Sequence, residues 1–205
     1  CLIAAMFVWK LGAIWSAGGG NQYAIGGLLP FNDATGYYDE ARYFLEHGRL
    51  KEMNVGRRPM SSVLLAALLG ITGLDLQVAL SLLVGLTTLS VLVLAYCVAR
   101  AYGWPVALLF GAILYAYIDT YVGTTLSENA GMTLGVAGFA LSWSATHPKR
   151  ITLFSLGLFL MTLGFMARPG AFFVLLALMI WAAHSFRGSR GTGDGSFSWR
   201  AMGFC

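Results

Sequence analysis

The chain has 205 residues, 58% of them hydrophobic and only 11% charged, with a mean hydropathy of +0.71. Water-soluble domains carry about 25% charged residues, so the composition argues against one and points to an all-α, multi-pass integral membrane protein. The net charge of +4 reads as loop charge that orients spans, with no nucleic-acid partner, and the isolated Cys1, Cys97 and Cys205 show no disulfide framework and no metal-ligand spacing.

In chain order, a first apolar span covers Leu2 to Ala17, with Lys10 as an awkward charge inside it. The following "GGGNQYAIGGLLP" loosens the chain; no Gly-Lys-Ser/Thr follows, so it is not a phosphate loop. Next comes "NDATGYYDEARYFLEHGRLKEMNVGRRPM", Asn32 to Met60, which holds about half of all the charge in the chain. Within it, Ala34 to His47 has a helical pattern: Tyr37, Ala41, Phe44 and Leu45 share one face, and Asp39, Arg42 and Glu46 lie towards the other. Asn32 or Asp33 would cap its start and Gly48 its end, and Asp39 and Arg42 are close enough to pair. This describes an amphipathic helix lying on a membrane surface.

Pro59 to Gly70 is apolar but only about a dozen residues, which suits a second interfacial or re-entrant helix. Asp75 is placed to cap the next span, Leu76 to Ala99, closed by Arg100. Further spans are expected at Trp104–Val122, Ala130–Ala145, Ile151–Ala167 and Ala171–Phe186, about six in all. Gly131, Gly135 and Gly138 approximate a small-residue stripe for close helix packing. Residues 1–187 thus form one transmembrane module with a long first loop over about 19–74. Residues 188–205 read as a polar linker leading to a further, truncated span, as in a piece of a longer protein.

Arg100, Lys149 with Arg150, and Arg187 with Arg190 fall on one side of this layout, which the positive-inside rule makes the cytoplasm. The charged stretch, "SEN" around Glu128 and the "RPG" turn after Arg168 then share the opposite face.

Asp33-x3-Tyr37, Gly48, and Arg58-Pro59-Met60 follow one another in this loop. That series resembles the first outer loop of the GT-C membrane glycosyltransferases. The group includes the lipid A aminoarabinose transferase, protein O-mannosyltransferases and bacterial lipopolysaccharide sugar transferases. Their loop carries Asp-Glu-x-x-Tyr, a helix ending in Ser-Gly, and Lys-Pro-Pro-Leu. Ala34 replaces the family's Glu, Arg58 its Lys and Met60 its second Pro. The motif covers Asp33 to Met60, whereas the order of spans and loops matches over most of the chain.

The resemblance implies transfer of a sugar from a polyprenyl-phosphate lipid to a lipid, glycan or protein acceptor, at the outer face of a bacterial cytoplasmic membrane. An acceptor hydroxyl needs a base and a departing phosphate needs positive charge. Asp33 matches the family's Asp and is the candidate general base for an inverting displacement; its plainer role is a helix cap. Arg58 is the candidate phosphate ligand, with Arg57 assisting or anchoring to headgroups. Arg168 either binds the donor phosphate or snorkels to lipid. Tyr37, Glu128 and Asp39 are candidates to line the cleft or orient the acceptor. Tyr37 has interfacial packing as its alternative, and Glu128 a role at a helix start. Asp119, near the outer end of its span, is a further ionisable candidate.

No metal-binding pattern is present; some GT-C relatives use a divalent metal, but nothing in these residues requires one. A transporter or flippase for a lipid-linked or small polar solute remains the second reading, and a non-catalytic membrane scaffold the third. The gathering of polar residues at one face, rather than at the midplane of broken helices, favours interfacial chemistry.

Overall fold

A computed structural model describes residues 2–17, 22–51, 58–146, 150–168 and 172–185. Arg57, Lys149, Arg187, Arg190 and the 188–205 linker lie outside these residues. The elements in order are α1 (Leu2–Ala17), β1 (Ala24–Ile25), β2 (Leu29–Pro30), α2 (Asp33–His47), α3 (Pro59–Ile71) and α4 (Leu76–Tyr102). They are followed by α5 (Trp104–Ile118), α6 (Ser127–Thr146), α7 (Ile151–Ala167) and α8 (Phe172–Ser185).

Local signals set most of these boundaries. Asp75 caps α4 by accepting the Val78 N–H at 3.0 Å, and Pro59 opens α3, where its missing N–H leaves no bond unmade. Gly48 ends α2 at φ 67°, its N–H donating to the Phe44 carbonyl at 2.8 Å. The start of α2 differs from expectation. Asn32 occupies the cap position, but its side chain donates to the Gln22 carbonyl at 2.8 Å instead of capping the helix. The loosened segment before it folds into a short hairpin, pairing Ala24 with Pro30 and Ile25 with Leu29. Gly26 and Gly27, at φ 59° and 74°, supply the left-handed turn this hairpin requires.

The third apolar run stops at Ile118 instead of reaching Val122, and the fourth helix begins at Ser127 instead of Ala130. The reason lies in Asn129, whose amide donates to the Tyr121 carbonyl at 2.7 Å and the Thr124 carbonyl at 2.8 Å. These carbonyls are thereby held in a turn that α5 cannot propagate through.

Of the described helices, α4 alone is both long and apolar enough to cross a membrane. Its 27 residues extend about 40 Å, against about 30 Å for a hydrocarbon core. α1, α3, α5 and α7 are apolar but shorter. Leu82, Leu86, Leu89, Val93 and Tyr96 form an exposed apolar stripe along α4, and Leu109, Ile113 and Tyr117 form another along α5. The opposite face of α4 is buried and mostly apolar, with Thr87 and Ser90 as its polar members.

Side-chain pairings define how the helices run. Thr87 on α4 meets Thr133 on α6 at 2.7 Å, and Val98 clusters with Ala140, so α4 and α6 are parallel. Backbone approaches of Gly138 to Gly157 and of Gly135 to Gly164 make α6 and α7 antiparallel. A Cβ on Gly138 would lie 2.5 Å from the Gly157 carbonyl oxygen. Gly138 and Gly131 thus allow close packing as the spacing implied, whereas a Cβ on Gly135 would meet nothing within 4 Å. α1 runs alongside α5, with Phe7 edge-on to Tyr115 and Lys10 bonded to Asp119 at 2.9 Å. α2 lies on α3, their shared core including Ala41, Leu65 and Leu69. α3 in turn packs against α6 and α7. Consequently Arg100, at the end of α4, and Arg150, before α7, fall at one end of the bundle. The start of α6 and the end of α7 fall at the other.

Candidate functional site

At that second end, four segments distant in sequence meet: the first turns of α2, Arg58 before α3, the 121–128 connection, and Arg168 after α7. The contact between α2 and the connection is both polar and apolar. Thr125 donates its hydroxyl to the Ala34 carbonyl at 2.6 Å, and Ala34 and Tyr37 cluster with Leu126. Asp33 is therefore adjacent to the corner through its neighbour Ala34. Its side chain is exposed.

Arg58 is half-buried and donates from Nη1 to the Tyr37 hydroxyl at 2.7 Å and to Ser127 Oγ at 3.2 Å. Both partners are neutral, and no described carboxylate pairs with its guanidinium. Ser127 Oγ donates onward to Glu128 Oε2 at 3.1 Å. The other oxygen of Glu128 accepts from Arg168 Nη1. Glu128 is buried, with its side chain 8% exposed, whereas that of Arg168 is 42% exposed. Gly131, one turn into α6, faces Arg168: a Cβ there would sit 3.3 Å from the Arg168 Cβ. Glycine at this position thus lets the end of α7 approach the start of α6.

The corner joins Tyr37, Arg58, Glu128 and Arg168 in one hydrogen-bonded chain through Ser127. It holds two cations and one carboxylate, which pairs with Arg168, leaving the charge of Arg58 unmatched among these groups. A half-buried Arg facing hydroxyls can accept an anion without breaking an ion pair, and its planar fork suits phosphate oxygens. Among the described residues no three His, Cys, Asp or Glu side chains are arranged to hold a metal ion.

Other candidates lie apart from this chain. Asp39 is exposed on α2, and Arg42 pairs with Glu46 at 3.6 Å rather than with Asp39, one turn on along the exposed face. Asp119 is held by Lys10, which gives the awkward charge of the first helix its partner. Leu45, placed on the apolar face of α2, is exposed.

Sequence reasoning did not single out Ser127, Thr125 or Asn129, although "TTLSEN" carries the polar density of a helix start. It also passed over Glu40, which is buried at 3% exposure on the Tyr37 face of α2. One Glu40 oxygen has no hydrogen-bond partner. Burial raises this carboxyl above its ordinary pKa of 4.5, while the backbone N–H and positive charge of Lys51 act in the other direction.

No protein-family model, curated protein or solved structure matches the chain.

Proposed function

We propose that the chain belongs to a multi-pass membrane glycosyltransferase of the GT-C type, acting at the non-cytoplasmic face. The observation that supports this most is Arg58, a half-buried guanidinium held by two hydroxyls with no described carboxylate beside it. The exposed apolar stripes of α4 and α5 support the membrane reading, because apolar residues on every face of a helix suit lipid rather than water. The placement of Arg100 and Arg150 at the opposite end agrees with a cytoplasmic side there.

In the proposed reaction the donor is a sugar joined through its anomeric carbon to a polyprenyl phosphate. Arg58 binds the phosphate oxygens, and Arg168 adds charge from the other side of Ser127 and Glu128. Asp33 takes the proton from an acceptor hydroxyl whose oxygen attacks the anomeric carbon. The bond from that carbon to the phosphate oxygen breaks, the electron pair leaves with the polyprenyl phosphate, and the anomeric centre inverts. The acceptor is a lipid, glycan or protein hydroxyl.

Sugar transfer by the full-length protein with Asp33→Asn is the direct test. Turnover should fall at least about a hundredfold while membrane insertion stays normal. Unchanged turnover would remove Asp33 as the base. Arg58→Ala should raise the donor KM and leave the acceptor KM alone; equal effects on both would count against a phosphate role.

A further inference from the structure

We infer that Glu128 is a positioning residue, which holds the two arginines of the corner at one spacing so that a single phosphate can engage both. The inference rests on the proposed phosphate site and assigns Glu128 a role different from orienting an acceptor.

Its geometry carries the assignment. Glu128 is the second residue of α6, where an acid is favoured by the helix dipole alone. A dipole role needs neither carboxylate oxygen to have a particular side-chain partner. Here each oxygen has one: Oε1 accepts from Arg168, and Oε2 accepts from Ser127, whose Oγ receives Arg58. Each oxygen keeps a further lone pair, but the carboxylate is only 8% exposed, which leaves an acceptor hydroxyl little access to it. The carboxylate is also the buried member of its ion pair, so it has little room to swing and fixes the more exposed Arg168. Ser127 then relays that position to Arg58, while Tyr37 fixes the same Nη1 from α2. A cation set in place by a buried acid has less freedom to lose on meeting an anion.

Glu128→Asp separates the two roles. Aspartate keeps the negative charge at the helix start, so the fold is supported, but its shorter side chain cannot reach both partners at once. Ser127→Ala cuts the relay to Arg58 and leaves the ion pair intact. Both variants are made in the full-length protein in lipid nanodiscs, with farnesyl phosphate as the binding probe. Wild type should bind the probe, and Glu128→Asp should bind it at least about tenfold more weakly, since displacements near 1 Å carry penalties of that order or larger. Ser127→Ala should weaken binding by a smaller factor and also reduce the further loss caused by Arg58→Ala. In turnover, Glu128→Asp should raise the donor KM and spare the acceptor KM, a separation that a purely structural residue would not produce. If wild type binds the probe and Glu128→Asp binds it equally well, the positioning role is overturned while the phosphate site stands. If wild type does not bind the probe, the phosphate site itself falls, and this inference with it.

Discussion

Among the described residues two ion pairs tie distant helices together, and they differ in what surrounds them. Lys10 and Asp119 join α1 to the end of α5 as one cation and one anion, with side chains 30% and 35% exposed. Arg168 and Glu128 join α7 to α6 with the acid buried, and a second cation, Arg58, is linked to the same acid through Ser127. The first pair is closed, since its charges cancel. The second carries a surplus positive charge and extends across four chain segments. A closed pair fastens helices, whereas a connected pair with surplus charge can also receive an anion.

The largest expected effect comes from Gly164→Val. A Cβ at Gly164 would lie 2.9 Å from the Gly135 nitrogen, so α6 and α7 must move apart beside the corner. Overpacking of this kind should cost about 3 kcal/mol, read from unfolding in mild detergent. The same variant should abolish anion binding without disturbing Lys10 and Asp119, and retention of binding would separate the corner from helix packing.

Second in size is an asymmetry within the corner pair. Arg168→Met leaves the buried Glu128 without its cation and should cost about 2–3 kcal/mol, less than a fully buried pair because Arg168 is 42% exposed. Glu128→Gln leaves a half-exposed Arg168 that water can solvate, for about 1 kcal/mol. Equal losses would mean that Glu128 is not the buried anchor.

Lys10→Met or Asp119→Asn should each cost about 1 kcal/mol or less, given the exposure of that pair. Combining them should cost less than the sum of the two and leave sugar transfer unchanged. A loss of transfer would show that the closed pair also reaches the site.

Glu40 supplies the smallest effect, as a buried carboxyl on which desolvation outweighs the nearby Lys51. Because burial raises its folded pKa, the native state holds a proton more tightly than the unfolded chain. Stability should therefore decline as pH rises from the ordinary value of 4.5 through the raised one. Glu40→Gln should flatten that decline and raise the melting temperature at pH above this window only. An equal gain at every pH would mean that Glu40 stays charged or neutral in both states alike.

Much of the fold was legible from local chemistry. Asp75, Pro59 and Gly48 marked helix ends that the structure keeps, because capping and breaking act within a few residues. Gly131 and Gly138 foretold close packing for the same reason. The end of α5 was not legible, since it depends on Asn129 capturing carbonyls from a preceding segment. Glu40 was passed over because the alternation of charge in α2 does not reveal which turn of the helix is buried.

The candidate site divides along the same line. Asp33, Tyr37, Arg58, Glu128 and Arg168 stood out as residue types on one side of an alternating helical layout. Apolar length, loop charge and motif spacing are properties of the chain itself, and they determined the helical class and this short set of polar residues. Which of these groups touch was decided only by tertiary structure. Arg168 meets Glu128 because antiparallel α6 and α7, drawn together by glycines, bring the start of one helix beside the end of the other, and Ser127 meets Arg58 because α3 packs against α6. Hydrogen bonds across 69 and 40 residues depend on that packing, and no local pattern encodes them.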